Sequence, residues 1–429
     1  MKLCVVGLGY VGLPAAVVFA SRGIPVIGID IDHRKVEAIN RGQTPIKEPG
    51  VDTLLRQAVA DGKLTATTTH DALRECQAII IAVNTPVEDG VVNLTQLKNA
   101  LETAAKNLNK DTLVSIESTV PPGTTEKIAK PILEKSGLKT GRDYYLAHVP
   151  ERIAPGRAIE ELTTAPRLVG GVDPPSTQRA IELYTTINKN LYPTDATTAE
   201  FTKLIENTYR DVNIALANIF ALMAEKIGID VWEAIRLANT HPRVHIHLPG
   251  PGVGGPCLTK DPYILITAAS IEHAKLIQLA REINRQMPTH FTHLVLTALK
   301  KHSINPREAT VAILGVAYKG GIDDTRETPA QPIIHLLKQH IAEVRAHDPY
   351  TQETFGATPT TTVEEALENA DAAAIVTDHP QYKQLDWKKL APLMRHKIIV
   401  DGRRVVEPHT AIEAGYTYYA IGYGKPFKI

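Results

Sequence analysis

Cysteine is scarce in this 429-residue chain: Cys4, Cys76 and Cys257 are odd in number, widely spaced and without a CxxC pair. A disulfide framework and a cysteine-rich zinc site are therefore not expected, and a reducing cytoplasm fits the count. Excess charge of one sign is also lacking. Lys+Arg and Asp+Glu both number 47, so no net field draws the chain to nucleic acid or to an acidic membrane surface. Local positive sites for a small anion remain compatible with that balance. Long apolar runs are missing too. The opening "MKLCVVGLGYVGLPAAVVFASRG" could pass for a signal peptide, yet its glycine spacing and single leading lysine suit a buried strand and helix. No later run reaches the ~18 apolar residues of a membrane span.

What is present is an ordinary globular balance, 43% hydrophobic and 22% charged, in a chain too long for one core. Short apolar runs ending in turn residues alternate with helical patterns: "KLCVVGLG", "IPVIGIDID", "QAIIIAVNTP", "TLVSIEST", "YYLAHVPE" and "RLVGGVD". Such alternation marks a parallel sheet covered by helices. A break is expected around "YPTDATT". One long helix then spans Ala199 to Ile227. Its apolar stripe is Phe201, Leu204, Ile205, Tyr209, Val212, Leu216, Ile219, Phe220, Met223 and Ile227. A second helix starts at Pro262, with Asp261 as N-cap, and runs to about Met287. Strand-like runs resume at "TVAILGVAYKGG", "IAEVRAHDP", "DAAAIVTDHP", "HKIIVDGRR" and "YYAIGYG". The fold class expected is α/β, with two Rossmann-like doubly wound domains, 1–195 and 301–429, joined by a long-helix central region, 196–300.

Gly7-Leu-Gly9-Tyr10-Val11-Gly12 follows a strand and opens a helix, and Asp30 ends the next strand. The glycines permit a tight turn and close approach of a pyrophosphate to the helix N-terminus. Asp30 would accept hydrogen bonds from ribose hydroxyls and repel a 2′-phosphate, which points to NAD; Arg34 nearby argues partly the other way. A strand–helix turn without a cofactor is the bland alternative.

"GPGVGGPCLTKDP", residues 250–262, comes after no strand and does not fit GxxxxGK[ST], so it is not a P-loop. Cys257 sits just before a predicted helix start, where the dipole and Lys260 favour a thiolate. An isolated cysteine is more often structural, but a dinucleotide site in the same chain favours a reactive one.

Together "GLGYVGLPAA", "STVPPGTT", "VPERIAPGRA", "EFTKLIENTYRDVNIALANI", "GPGVGGPCLTKDP", "GVAYKGGIDDTRETPA" and "VDGRRV" make the whole chain resemble the nucleotide-sugar 6-dehydrogenases. That resemblance implies oxidation of the C6 alcohol of a UDP-sugar to the acid, with NAD taking two hydrides and a cysteine carrying a thiohemiacetal and then a thioester. It makes Cys257 the nucleophile. Lys203 and Asn207, an i,i+4 pair set opposite the apolar stripe, would stabilise an oxyanion. Asp261, Thr119 and Glu151 complete the catalytic set; each also has a bland reading, as helix cap, turn former and solvated carboxylate. Thr85, Pro86, Thr119 and Arg326 join the cofactor residues, although Arg326 also reads as a structural ion-pair former. Glu151, Arg152, Lys203, Asn207, Arg210, Arg243, His245, Gly254, Lys319 and Arg403 would bind the substrate, the last two through its charged part. Arg243 matches an arginine that the family reaches into a neighbouring subunit, implying at least a homodimer.

His241, His245 and His247 lack a paired carboxylate or thiolate, so no metal is expected. "HPRVHIHLPGPGVGG" resembles the N-acetylhexosamine branch, and Pro155 stands where UDP-glucose enzymes carry glutamate. The choice falls on UDP-N-acetylmannosamine ahead of UDP-N-acetylglucosamine and UDP-glucose. Pro256, Thr259 and Asn84 depart from the family's usual residues. A non-catalytic NAD- and UDP-sugar-binding regulator, and a single-step dehydrogenase of the 3-hydroxyacid type, are the competing readings.

Overall fold

Short runs of Val, Ile and Ala build two separate sheets in the computed structural model, which describes residues 1–88, 90–268 and 271–425. The chain falls into two units, Met1–Glu206 with Tyr263–Ile271 and Asn207–Pro262 with Glu272–Ile429.

The first unit holds β1 (Leu3–Val6), β2 (Val26–Ile29), β3 (Leu64–Thr67), β4 (Ala78–Ile81), β5 (Val87–Glu88), β6 (Val91–Val92), β7 (Leu113–Ile116), β8 (Tyr145–His148), β9 (Arg167–Gly171) and β10 (Leu191–Asp195). Eight of these form a sheet in the order β10-β9-β8-β7-β4-β1-β2-β3, while β5 and β6 make a small hairpin. Every residue of β1, β2, β4 and β7 is buried, as parallel strands covered on both faces require. Leu13, Phe19, Leu55 and Tyr184 pack one face; Leu97, Leu101, Leu133 and Tyr144 pack the other. From β1 the chain winds outward through β2 and β3, then returns to β4 on the other side of β1. This reversal creates the crevice where doubly wound sheets take ligands.

β3, β5 and β6 lie outside the expected strand runs, and β9 and β10 depart from expectation in other ways. β9 pairs antiparallel with β8, Ala147 opposite Gly171 and His148 opposite Gly170. The expected break at "YPTDATT" is partly strand β10, paired with β9. Pro193 is tolerated there because β10 is an edge, where a missing N–H breaks no ladder on its outer side.

The second unit carries β11 (Thr310–Leu314), β12 (Glu343–His347), β13 (Thr358–Pro359), β14 (Ala372–Ile375), β15 (Ile398–Asp401) and β16 (Thr417–Ala420). They form a fully parallel sheet in the order β13-β12-β11-β14-β15-β16. All five expected strands are present, and β13 is an addition.

The long helix runs Ala196–Ile227, but its early turns are inverted relative to expectation. Lys203 and Asn207 are buried, whereas Phe201, Ile205, Tyr209, Leu216, Met223 and Ile227 are exposed. The helix expected from Pro262 to Met287 is interrupted. It comprises Asp261–Ala268, a 3-10 turn at Ile271–Ala274 and a helix Lys275–Lys301; residues 269–270 lie outside the described residues. No glycine or proline marks the interruption, so the pattern alone could not show it. Asp261 is the first helical residue rather than the N-cap.

No disulfide framework was expected, yet Cys4 and Cys76 form a disulfide. Cys4 lies in β1 and Cys76 just ahead of β4, and the β1–β4 ladder brings them together. Peptide mass spectrometry after alkylation of denatured, unreduced protein should find label on Cys257 and not on Cys4 or Cys76, with all three labelled after reduction. Label on Cys4 or Cys76 before reduction would contradict the pairing.

Candidate active site

The glycine turn after β1 divides its work. Gly7 has φ +92°, and a Cβ there would lie 2.5 Å from the Ala82 carbonyl oxygen. A Cβ on Gly12 would lie 1.8 Å from the Gly7 oxygen. Both glycines are demanded by the backbone itself. Gly9 differs, since a Cβ there meets nothing within 4 Å. Its bare backbone faces open space next to the helix Gly12–Ser21, whose N-cap position is Val11, and a pyrophosphate fits that place. Tyr10 packs on the core beneath the turn. Asp30 Oδ2 accepts from the Leu8 N–H at 2.9 Å and Oδ1 from the Asp32 N–H at 3.0 Å. The carboxylate thus braces the glycine turn. Lys35 Nζ lies 3.7 Å from it, whereas the Arg34 N–H is bound to Asp32 Oδ1 at 2.9 Å.

Beyond β4, the Thr85 hydroxyl donates to the Thr119 carbonyl at 2.7 Å, joining two residues expected in the site; Pro86 accepts from the Asn93 N–H at 2.8 Å. The "PPGTT" loop is pinned to the long helix by Glu200. Its carboxylate accepts from the N–H groups of Gly123 (2.5 Å) and Thr125 (2.7 Å) and from the Thr125 hydroxyl (2.5 Å). Burial pushes Glu200 up to about 7 against the pull of those donors.

Glu151 is not a solvated carboxylate. It is 7% exposed, with Oε1 accepting from the N–H groups of Arg152 (2.6 Å) and Ile153 (2.9 Å) and Oε2 from Arg167 Nη1 (3.0 Å). Arg152 is committed to Glu206 through a two-pronged ion pair and to the Pro166 carbonyl. Glu48, buried, accepts from the N–H groups of Gly156 and Ala158, both at 2.9 Å, and so fixes the far side of the same loop. His148, at the end of β8, is fully buried, and neither ring nitrogen has a hydrogen-bond partner among the described residues. Burial, aided by the charge of Lys203, pushes it down to about 3, so it is a neutral imidazole.

In the second unit, Asn207 Nδ2 donates to Asp261 Oδ2 at 2.5 Å, uniting two expected catalytic residues; Asp261 is fully buried. Cys257 is exposed and carries a thiol. Its carbonyl accepts from the N–H groups of Lys260 (3.1 Å) and Asp261 (2.8 Å), so the chain is already wound into a turn at the sulfur-bearing residue. The glycines upstream serve packing. A Cβ on Gly254 would lie 2.7 Å from the Glu327 oxygen, and one on Gly255 2.7 Å from the Tyr318 ring. Burial pushes Tyr318 up to about 12, with Asp324 and Cys257 adding to the effect, so the phenol stays protonated. Arg403 threads between the loop and the second sheet, donating to the Gly252 carbonyl at 3.2 Å and the Val376 carbonyl at 3.4 Å.

Arg326 forms an ion pair with Asp324 at 2.6 Å, in line with its structural reading. Lys319, Arg210, Arg243 and His245 are exposed. The loop after Lys319 is fixed by His379, whose Nδ1 accepts from the Gly321 N–H at 3.1 Å while Nε2 meets Asp348 at 2.9 Å. Among the described residues, no three of His, Cys, Asp or Glu converge as a metal site.

Glu48, Glu117, His148, Arg167 and the Asp348–His379 pair lie outside the motifs quoted above, and Glu200, which opens "EFTKLIENTYRDVNIALANI", was given no role there. All but His148 bond to a segment distant in sequence.

Three family models match consecutive segments: the NAD binding domain of the UDP-glucose/GDP-mannose dehydrogenase family at residues 1–188, its central domain at 197–286 and its UDP binding domain at 312–408. The chain is 46% identical to the UDP-N-acetyl-D-mannosamine dehydrogenase of Pyrococcus horikoshii, over 99% of this chain and 100% of that one. It is 42% identical to that of Methanococcus aeolicus, over 100% of this chain and 97% of the other. A solved structure of the Pyrococcus horikoshii UDP-D-ManNAc dehydrogenase superposes with a TM-score of 0.94 at 45% identity, covering 99% of this chain and 100% of that one.

Glu200 yields a pH test. Its folded carboxyl titrates about 7 against an ordinary 4.5, so between those values the folded state holds a proton that the unfolded state has lost. Its contribution to stability therefore declines as pH rises through that window. Relative to Glu200→Gln, the wild-type Tm should fall from about pH 4.5 to about pH 7, with a constant difference outside it; parallel Tm profiles would contradict this.

Proposed function

Because the chain belongs to the UDP-glucose/GDP-mannose dehydrogenase family, we propose that it oxidises the C6 alcohol of UDP-N-acetyl-D-mannosamine to the uronate through a thioester on Cys257. It is an NAD-dependent dehydrogenase, and bound NAD+ supplies the hydride acceptor for each oxidation. The observation carrying the four-electron reading is an exposed thiol at a turn leading into a helix, in one unit with the buried Asn207–Asp261 pair. The sugar is supported by the names of the relatives sharing 46% and 42% of their residues with this chain.

The chemistry asked of each residue suits its type. The alcohol loses a hydride and a proton to become an aldehyde. The Cys257 sulfur adds to C6, and the thiohemiacetal loses a second hydride and a proton to become the thioester. Water then breaks the C–S bond, returning the thiol and releasing the carboxylate. Asn207 would donate its amide to the C6 oxygen as negative charge develops, and Asp261 fixes that amide's orientation. Lys203, buried in the first unit, would supply positive charge for the same purpose. Glu151 and Thr119 would place the sugar and the attacking water. Arg403, Lys319 and Arg210 would meet the anionic part of the substrate, with His245, Arg243 and Gly254 around the sugar.

We assign three functional parts, 1–195 to the cofactor, 196–300 to the helical centre and 301–429 to the UDP portion. We place the enzyme in the cytoplasm, although the Cys4–Cys76 disulfide removes the cysteine-count argument for a reducing compartment. The exposed stripe of Phe201, Ile205, Tyr209, Leu216, Met223 and Ile227 supports association of at least two copies, with Arg243 reaching a neighbouring site.

A panel of UDP-N-acetylmannosamine, UDP-N-acetylglucosamine and UDP-glucose should give the highest kcat/KM with the first, and two NADH per sugar. Cys257→Ser should release no acid; normal acid formation by that variant, or a product that stops at the aldehyde in the wild type, sinks the thioester reading. Light scattering should report a dimer or larger, shifting toward monomer in the double variant Ile205→Glu, Leu216→Glu; a monomeric wild type removes the oligomer from the proposal.

A further inference from the structure

The first unit buries a charge cluster that joins Glu151 to residues the roles above leave unused. Arg167 Nη2 donates to Glu117 Oε1 at 2.7 Å and Nη1 to Glu151 Oε2 at 3.0 Å. The Tyr184 hydroxyl adds a second donor to Glu117 Oε1 at 2.7 Å and lies 2.8 Å from the Ser115 hydroxyl. The guanidinium stacks over the Tyr184 ring, 4.8 Å from its centroid. Glu117, Glu151, Arg167, Tyr184 and Ser115 are all 7% exposed or less.

Topology explains the meeting. Glu117 leaves the carboxyl end of β7 and Glu151 lies just past the carboxyl end of β8. In a parallel strand Arg167, as first residue, would sit at the opposite edge of the sheet. Because β9 runs antiparallel to β8, its first residue reaches the carboxyl edge instead. Continuing the register of Ala147 with Gly171 and His148 with Gly170 three residues further sets Arg167 opposite Glu151.

We propose that Arg167 and Glu117 are positioning residues for Glu151, the guanidinium being divided between the two carboxylates so that Glu117 sets how much of its charge Glu151 receives. This rests on the placement of Glu151 in the active site proposed above. Three donors hold Glu151 in one orientation, and the guanidinium is the charged one among them. An ionised Glu117 offsets the Arg167 charge and leaves Glu151 more of its own charge to orient the water it places; a protonated Glu117 leaves the guanidinium to Glu151 alone.

The geometry provides for both states. Glu117 Oε1 takes both donors, while Oε2 is buried with no hydrogen-bond partner among the described residues, where a proton is accommodated. Burial is the chief cause that pushes Glu117 up to about 7; Arg167 opposes it and Glu151 adds to it. The groups facing the cluster are Arg167 from β9, Glu151 from the segment after β8, and Tyr184 from the helix Pro174–Tyr184. His148 at the end of β8 is neutral, and Lys203 of the long helix lies close enough to lower it further.

The test uses full-length enzyme with NAD+ and UDP-N-acetylmannosamine, measuring kcat and KM from pH 5.5 to 9 for the wild type, Glu117→Gln, Arg167→Lys and Glu151→Gln, each checked by thermal melting. In the wild type kcat should rise through an inflection near the Glu117 titration. Glu117→Gln mimics the protonated state, so it should lose that inflection, matching wild type at low pH and falling about threefold or more below it at pH 8, with KM changed by less than about twofold. Arg167→Lys, whose single ammonium cannot fork to both carboxylates, should lower kcat across the range. Retention of the wild-type inflection by Glu117→Gln overturns the proposal even if Arg167→Lys fails to fold. If Glu151→Gln turns over normally, the placement of Glu151 fails instead; if Glu151→Gln is impaired while Glu117→Gln keeps the inflection, the positioning role alone fails.

Discussion

A parallel strand buried on both faces offers chemistry only at its ends, and that constraint organises both units. The core strands of the first sheet contain no exposed residue, so the sheet presents its polar groups mainly in the segments leaving the carboxyl ends of its strands. The glycine turn leaves β1, Asp30 leaves β2, Thr85 leaves β4, the Glu117–Thr119 segment leaves β7 and Glu151 leaves β8. The same holds in the second sheet, where the Lys319 loop leaves β11 and Arg403 leaves β15. Parallel strands furnish that edge only from their trailing segments. Within the eight-stranded sheet, the reversed pairing of β8 with β9 delivers a cation there from a strand's first residue.

Loops at such an edge have few ladder bonds to hold them, and in the first unit buried carboxylates take over that task. Glu48 grips the 156–158 backbone, Glu151 grips the two residues after it, Glu200 grips the 123–125 turn and Asp30 grips Leu8. A desolvated carboxylate is costly unless its lone pairs are met. Two or three N–H donors per group meet that requirement and at the same time leave the loop a single conformation. His379 plays the equivalent part for the second unit through its contacts with the Gly321 N–H and Asp348.

The alternation of apolar runs, the glycine turn and the cysteine loop were legible because each is local: its residues touch neighbours within about one strand or turn of them. The features that escaped are non-local. Arg167 looks like the first residue of an ordinary strand, and only the reversed register gives it Glu151 and Glu117. Cys4 and Cys76 looked unrelated until the ladder of β1 with β4 set them side by side. The helix Ala196–Ile227 was found from its period, but the period alone does not say which face is outside. Lys203 and Asn207 are turned inward, Asn207 onto the buried Asp261, and apolar residues between them are left outside.

The Cys4–Cys76 bond closes a loop with a sequence separation of 72 residues that contains the glycine turn, Asp30 and β3. In the loop-closure picture such a bond removes about 4 kcal/mol of unfolded-chain entropy. It also changes what a cut means. A protease nick anywhere in the enclosed span leaves both pieces covalently attached across β1 and β4, so the cofactor crevice would keep its two central strands until a reductant reached the buried sulfurs.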